Sequence, residues 1–264
     1  MEQAIRLRDV GIRFRVPRRG RRGLGIPRLL GRRRTKFWGI RHVTFDIARG
    51  EVVGLIGPNG SGKSTLLRTV SAIYRPDEGE SEVSGRVAPL LTAGAGLSPG
   101  LTGWENIELS GVLLGLTRRR TNELAQTIAE FADIRDFMDA PIRVYSAGMK
   151  ARLGFAIAVH ADPDILALDE VISVADEEFR ERSAQRLREF IDSGGTVVVA
   201  SHEVESLTDL CRRFVRLEHG EVVDDGEPGE VGPRYLAEHG ATRDRDAPPA
   251  RRRRAPVWAP IEDR

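Results

Sequence analysis

A chain of 264 residues, 40% of them apolar and 6% aromatic, is long enough for one large α/β domain or a core with a smaller satellite. Its only cysteine, Cys211, excludes an intrachain disulfide and points to a reducing compartment. A net charge of +2 excludes a polycation. The opening MEQAIRLRDV lacks a signal peptide's apolar core, and the longest apolar runs, GVLLGL and TVVVA, are too short for a bilayer span. The expectation is a cytosolic chain.

The charge is segregated. From Arg13 to Lys36 there are eleven Arg or Lys and no acid, and Arg251 to Arg254 form a second cluster in a Pro- and Ala-rich tail. The middle is acidic, as in DEEFRE and EVVDDGEPGE. In chain order, residues 4–14 alternate as a strand, and the basic, Gly- and Pro-interrupted stretch 15–36 reads as an insertion loop. IRHVTFDI is a second strand, and GEVVGLIG a third, buried one that ends in a glycine-rich turn. A helix is predicted from Lys63 to about Ile73 and a strand at SGRVAPLL. A glycine-rich connector from Gly94 to Gly103 then leads into a helical block over 104–160. Beyond it alternate DILALDE, a helix over 177–193, GTVVVASH, a helix from Glu203, and the strand-like RFVRLEHGEVV. Such alternation predicts an α/β fold with a mainly parallel sheet covered by helices. Residues 241–264 have the composition of a disordered tail.

Gly57-Pro58-Asn59-Gly60-Ser61-Gly62-Lys63-Ser64, followed by Thr65, fits G-x-x-x-x-G-K-S between a strand and a helix. Glycines let the backbone wrap a triphosphate with its N–H groups turned inwards. Lys63 would reach the β- and γ-phosphates and Ser64 a Mg²⁺ ion. This loop alone leaves GTPases, kinases, recombinases and transport ATPases open. The absence of an Asn-Lys-x-Asp guanine reader favours ATP. Asp169-Glu170 closes an apolar strand, where an aspartate can hold the metal's shell and its neighbour can orient or deprotonate the attacking water. His202 closes the next buried strand, placed to contact a γ-phosphate.

A second stretch, VYSAGMKARLGFAIAV, opens with Ser146 as a helix N-cap. Leu153, Ala156, Ile157 and Val159 would form its buried stripe. A second Ser-x-Gly at a helix start matters, because helix starts also bind phosphates.

In that order, GPNGSGKST, YSAGMKARL, ILALDE, SVAD and SH resemble the nucleotide-binding subunits of ATP-binding cassette (ABC) transporters, over residues 4–225 or so. The resemblance implies a P-loop NTPase of RecA-like type: a mainly parallel core, an antiparallel β subdomain and an inserted α-helical subdomain at 94–160. The nucleotide-binding domain would be 1–240. It implies ATP and Mg²⁺ as cofactors, residues 57–65 on the triphosphate, and Ser64 and Asp169 on the metal. Glu170 becomes the general base and His202 the γ-phosphate contact. Ser146, Ala147 and Gly148 would face the triphosphate held by a second copy in a head-to-tail dimer, with Asp176 in the dimer-contacting loop. Phe14 takes the adenine-stacking position, with Phe37 and Trp38 as further candidates; a plain core role for Phe14 stays open. The family's usual glutamine is replaced at Ala93, and the signature's first glycine and glutamine are Ala147 and Met149.

Those departures, together with the Gly-Ala-Gly loop before LTGWENI, DEVISVADEEF and the basic insertion before FWGIRHVTF, resemble ATPases that export cell-surface polysaccharides. The implied partners are an integral membrane permease and a lipid-linked glycan of the O-antigen, teichoic acid or galactan kind, with the subunit at the cytoplasmic face of the membrane. For the 15–36 stretch, anionic lipid head groups or a pyrophosphate-linked substrate at the membrane's inner face, nucleic-acid phosphates and a merely solvated loop all remain open. Its lack of a stacking platform ranks nucleic acid last. Another export cargo, or a soluble nucleic-acid clamp, are the alternative functions.

Overall fold

Three segments buried from end to end form the centre of the fold: β3 (Val52–Ile56), β6 (Ile165–Asp169) and β7 (Thr196–Ala200). They belong to a computed structural model that describes residues 2–17, 34–91, 96–169, 177–202 and 204–239. With β5 (Val87–Leu90), β8 (Arg213–Glu218) and β9 (Glu221–Gly226) they make a six-stranded sheet ordered β5-β6-β7-β3-β8-β9. All pairs are parallel except the β8–β9 hairpin. Continuous apolar runs suit this sheet because both faces are covered, and side chains alternate between them. Leu166, Leu168, Val197 and Val199 enter one core; Ile165, Ala167, Val198 and Ala200 enter the other.

The second core lies against an antiparallel sheet ordered β2-β1-β4, built from β1 (Gln3–Pro17), β2 (Arg34–Ala48) and β4 (Glu78–Val83). The fold is therefore α/β with the expected antiparallel subdomain. The ends of the 15–36 stretch are strand rather than loop: pairing continues past Phe14↔Phe37 to Arg15↔Lys36 and Pro17↔Arg34. Residues 18–33 lie outside the described part. The β4 strand carries exposed glutamates along an edge, so it shows no buried stripe to a sequence reader.

Helix α1 (Lys63–Val70) stops short of Ile73. Ala72 turns left-handed at φ 56°, and the N–H groups of Ile73 and Tyr74 both reach the Arg68 carbonyl. The helical block is three helices, α2 (Gly103–Leu113), α3 (Arg118–Ala132) and α4 (Ala147–His160), with single 3₁₀ turns at Arg135–Phe137 and Ile142–Val144. Ile107, Ile128, Met138, Tyr145 and Leu153 pack into its own core. The predicted stripe on α4 is buried but divided. Leu153, Ala156 and Ile157 enter that helical core, while Val159 enters the core under the parallel sheet. One rigid helix thus joins the two bodies.

Helix α5 (Glu177–Asp192) matches expectation, whereas the helix expected from Glu203 is only the short α6 (Glu205–Thr208). A further helix, α7 (Pro228–His239), contains Pro233 and packs Val231 and Tyr235 onto the sheet. Residues 240–264, which include the expected tail, lie outside the described part. Among the described residues, no helix is long and apolar enough to cross a membrane.

Candidate functional site: a phosphate cradle and a detached helix start

The carboxyl end of β3, midway between β7 and β8, opens into residues 57–62 and then α1. Gly57 has φ 143°, and a Cβ there would lie 2.1 Å from the Leu217 carbonyl oxygen. At Gly62, φ is 111°, and a Cβ would lie 2.8 Å from the Gly39 carbonyl oxygen. No side chain can replace hydrogen at either position without moving backbone. The buried Lys63 folds back over the loop, its Nζ donating to the carbonyls of Gly57 at 2.6 Å and Pro58 at 3.0 Å.

Helix α1 has no side-chain cap and no acid in its first turn. Its orphan N–H groups and positive dipole end are therefore not answered by a side chain of that turn, which suits a bound anion.

The β8–β9 turn props this loop from behind. Gly220 N–H donates to Ser61 O at 3.0 Å, and Arg41 N–H donates to Gly220 O at 2.8 Å. Helix α7 is fastened to the same hairpin through Arg216, which is 5% exposed and ion-paired to Glu218 and Glu238. Its guanidinium also lies 5.6 Å from the centre of the Tyr235 ring. The hydrogen bond to Glu238, with Glu218 adding to it, holds Arg216 above its ordinary pKa. Arg216 in turn holds the Glu238 carboxyl below its own.

A cavity of about 380 Å³ opens in front of the loop, lined by residues of the loop and α1, by Asp169 and by Phe14, Phe37 and Gly39. Asn59, Gly60, Gly62, Lys63, Ser64 and Thr65 all contribute, so the loop faces one space. The Ser64 hydroxyl and the Asp169 carboxylate border that space, an oxygen donor set that fits Mg²⁺. The glycine cradle and Lys63 fit a polyphosphate.

The aromatic end of the cavity consists of a cross-strand pair. Phe14 and Phe37 are register partners on β1 and β2, with ring centroids 5.5 Å apart, and Tyr74 meets Phe14 edge-on at 5.6 Å. Phe37 is 49% exposed, while Phe14 is half-buried and fills the space Gly39 leaves, where a Cβ would lie 2.4 Å from its ring. Trp38 does not line the cavity. Successive strand residues face opposite ways, and its ring meets the guanidiniums of Arg13, at 5.3 Å, and Arg41, at 4.7 Å.

His202 follows β7 and is half-buried; Ser201 N–H donates to Leu55 O at 3.2 Å, so this strand end stands beside the end of β3. His202 itself is not among the residues that line the cavity. Glu170, Asp176 and Ala93 lie outside the described residues.

Ser146 caps α4 as expected, its hydroxyl accepting from Met149 N–H at 3.1 Å. Ser146 and Ala147 are exposed and Gly148 half-buried, and none of the three lines the phosphate cavity of its own chain. The residue before them is tightly held: Tyr145 is buried and its OH donates to Phe137 O at 2.7 Å. Sequence reading missed three supports of this site: Gly39, Tyr74 and Gly220. Of these, only Gly220 carried a signal, the His-Gly pair between two strand-like runs.

A family model described as "ABC transporter" matches residues 40–173, half of the chain. The teichoic acids export ATP-binding protein of Listeria innocua is 44% identical over 81% of this chain and 63% of its own length. The O-antigen export system ATP-binding protein of Myxococcus xanthus is 40% identical over 75% of this chain and 45% of its own length. The chain thus spans less than two thirds of these relatives. A solved dimeric ATP-binding cassette in a post-hydrolysis state, bound to ADP and Pi, superimposes with a TM-score of 0.68 at 23% identity. That match covers 85% of this chain and 98% of the cassette, and it shows a shared fold.

Proposed function

We propose that this chain, which belongs to the ABC transporter family, is the ATP-hydrolysing subunit of an exporter that moves lipid-linked cell-surface polysaccharide across the cytoplasmic membrane. One observation carries the ATPase part. The chain builds a complete phosphate cradle with a metal-fitting Ser64–Asp169 pair, yet leaves the capped start of α4 exposed and away from that cradle. A second copy placed head-to-tail brings Ser146, Ala147 and Gly148 to the first copy's triphosphate, as in the dimeric family arrangement.

Within that sandwich, residues 57–65 hold the triphosphate and Lys63 exchanges its two loop carbonyls for phosphate oxygens. Phe14 and Phe37 form the wall on which adenine stacks. Ser64 and Asp169 would hold Mg²⁺, which when bound would neutralise charge that develops on the phosphates. Glu170 takes the proton of the attacking water, His202 contacts the γ-phosphate, and Asp176 meets the facing subunit. Preorganised donors of this kind lower the barrier chiefly by electrostatics.

The cargo assignment draws on the two export relatives and on the YSAGMKARL and DEVISVADEEF stretches. The partner is a separate membrane permease, which would hold this subunit at the cytoplasmic face. The basic residues within 15–36 are proposed to meet anionic lipid head groups there, each worth about 1 kcal/mol near such a surface. Deleting 18–33 should weaken co-sedimentation with phosphatidylglycerol vesicles and leave ATP binding intact.

Glu170→Gln tests the core of the reading. It should bind ATP, stop turnover and accumulate a dimer only when ATP is present, seen by size exclusion with light scattering. Wild-type turnover by this variant would remove Glu170 from the role of base. Purification only with nucleic acid, and never with a membrane subunit, would overturn export.

A further inference from the structure

The start of α4 is set in place by a residue forty positions earlier in the chain. Asn106, in α2, is fully buried, with 0% exposure. Its Oδ1 accepts from Ser98 N–H at 2.6 Å. Its Nδ2, with two N–H bonds to donate, lies within hydrogen-bond reach of the carbonyls of Thr102 at 2.7 Å, Ser98 at 3.1 Å and Leu101 at 3.2 Å. One amide therefore closes the loop over residues 98–102, using acceptor and donor capacity together, which neither a carboxylate nor an alkyl chain can supply.

That loop is the surface on which the approach to α4 is laid. Ile142 N–H donates to Leu101 O at 2.8 Å, and Arg143 N–H to Pro99 O at 3.0 Å, with a bridge between Thr102 and Pro141. One residue further, Gly103 N–H donates to Met138 O at 2.9 Å. Gly103 has no Cβ, and one would lie 2.6 Å from the Tyr145 hydroxyl. Tyr145 thus sits buried between α2 and the 135–138 turn, and Ser146 follows it directly.

We propose that Asn106 is a positioning residue for the inter-subunit ATP site. It shapes the 98–102 loop, the loop docks residues 141–145, and these fix where Ser146 and the first turn of α4 stand relative to a facing subunit. This rests on the reading that Ser146 acts on a second copy's nucleotide. Asn106 touches no nucleotide, so its effect must appear in assembly and turnover rather than in binding to the chain's own phosphate loop, which is built on β3 and α1.

The test compares Asn106→Ala, Tyr145→Phe and Ser146→Arg in the full chain. Each is assayed for ATP binding by the monomer, for ATP-dependent dimerisation in the Glu170→Gln background, for steady-state kinetics and for thermal melting. Asn106→Ala leaves Ser98 N–H unanswered and takes the Nδ2 donors away from the Ser98, Leu101 and Thr102 carbonyls, which keep a backbone donor; the docked population should fall on the order of tenfold or more. Expected is a fall of at least about tenfold in both dimer formation and kcat, with the monomer's affinity for ATP unchanged. Tyr145→Phe removes one hydroxyl bond and should give a smaller fall, about threefold, with the same split between kcat and binding.

Three results would overturn the proposal. Wild-type dimerisation and kcat for Asn106→Ala is one. A second is a matching loss of monomer ATP binding and melting temperature, which would make Asn106 a plain fold determinant. The third is Tyr145→Phe failing in nucleotide binding rather than in kcat. The parent reading fails separately, when Ser146→Arg itself dimerises and hydrolyses normally.

Discussion

Helices α1 and α4 both begin beside a serine and a glycine, and neither carries an acid in its first turn. Beyond that they part. At α1 the residue before the helix is a left-handed glycine with no side-chain cap, the lysine after it is buried, and the whole turn faces a cavity of the same chain. At α4 the preceding residue is an extended serine that caps the helix with its own hydroxyl, and the turn faces outward. The first start is left open locally and borders a cavity; the second is satisfied locally, and its residues do not line that cavity. On the proposed reading, one chain holds the phosphate-loop half of one site and the serine-capped half of another.

The largest effect that could break this comparison is expected at Gly57. Alanine there must accept φ 143° and place its Cβ 2.1 Å from the Leu217 carbonyl oxygen. Strain and overpacking each cost about 1–3 kcal/mol. Gly57→Ala should therefore lower stability in urea denaturation and remove measurable ATP binding. Unchanged ATP affinity would show that the cradle is not the nucleotide site.

Next in size is Ser146→Arg. Loss of a transition-state donor costs about 10²–10³ in turnover, and an arginine would also obstruct the facing subunit. Hydrolysis should fall more than about a hundredfold, while fluorescence titration finds ATP affinity of the isolated subunit unaltered. The lost cap should lower stability by only about 1 kcal/mol, so the variant remains folded. A variant that loses ATP binding as well would place the α4 start at its own chain's site and erase the contrast.

Phe37→Ala sharpens the cis side of the comparison. Stacking on an aromatic ring is worth about 1–3 kcal/mol per base, so ATP affinity should fall about 5- to 150-fold, and Phe37→Tyr should retain it. Equal affinities for all three forms would leave Phe14 alone as the stacking ring.

How much of this was legible in the sequence follows from what makes a signal. The strands β3, β6 and β7 and the glycine turn stood out because burial on both faces produces unbroken apolar runs, and the phosphate loop demands glycines at fixed spacing. Ser146 was legible as a cap for a purely local reason. By contrast, β4 is an edge strand with exposed glutamates, and α7 hides behind Pro228, Gly229, Gly232 and Pro233. Asn106 was invisible because a polar residue inside a helix reads as a solvated one; only the tertiary path of residues 98–102 makes it a buried node. The pairing of Phe14 with Phe37 depends on register carried across the basic insertion, which no spacing rule reaches.

The smallest effect concerns what props the phosphate loop. The phosphate loop leans on the turn at Gly220, and that hairpin is fastened to α7 by Arg216 with Glu218 and Glu238; the α4 start rests instead on the frame of residues 98–103 and 137–145, where the Glu105 carboxylate accepts from Thr102 N–H at 2.8 Å. Arg216 holds the Glu238 carboxyl below its ordinary value of 4.5. A carboxyl depressed by folding binds fewer protons in the native state, so its contribution is fully present above the unfolded value and fades as pH falls through the lower, folded one. Glu238→Gln should therefore lower the melting temperature slightly at pH 7 and by less at pH 3, which lies below the unfolded value. Because Glu238 lies at the surface, solvent screening keeps the pH 7 shift small. An equal shift at both pH values would mean that Glu238 acts through packing rather than charge. A shift in ATP-dependent dimerisation without any in monomer ATP binding would detach the hairpin from the cis site and assign it to the interface.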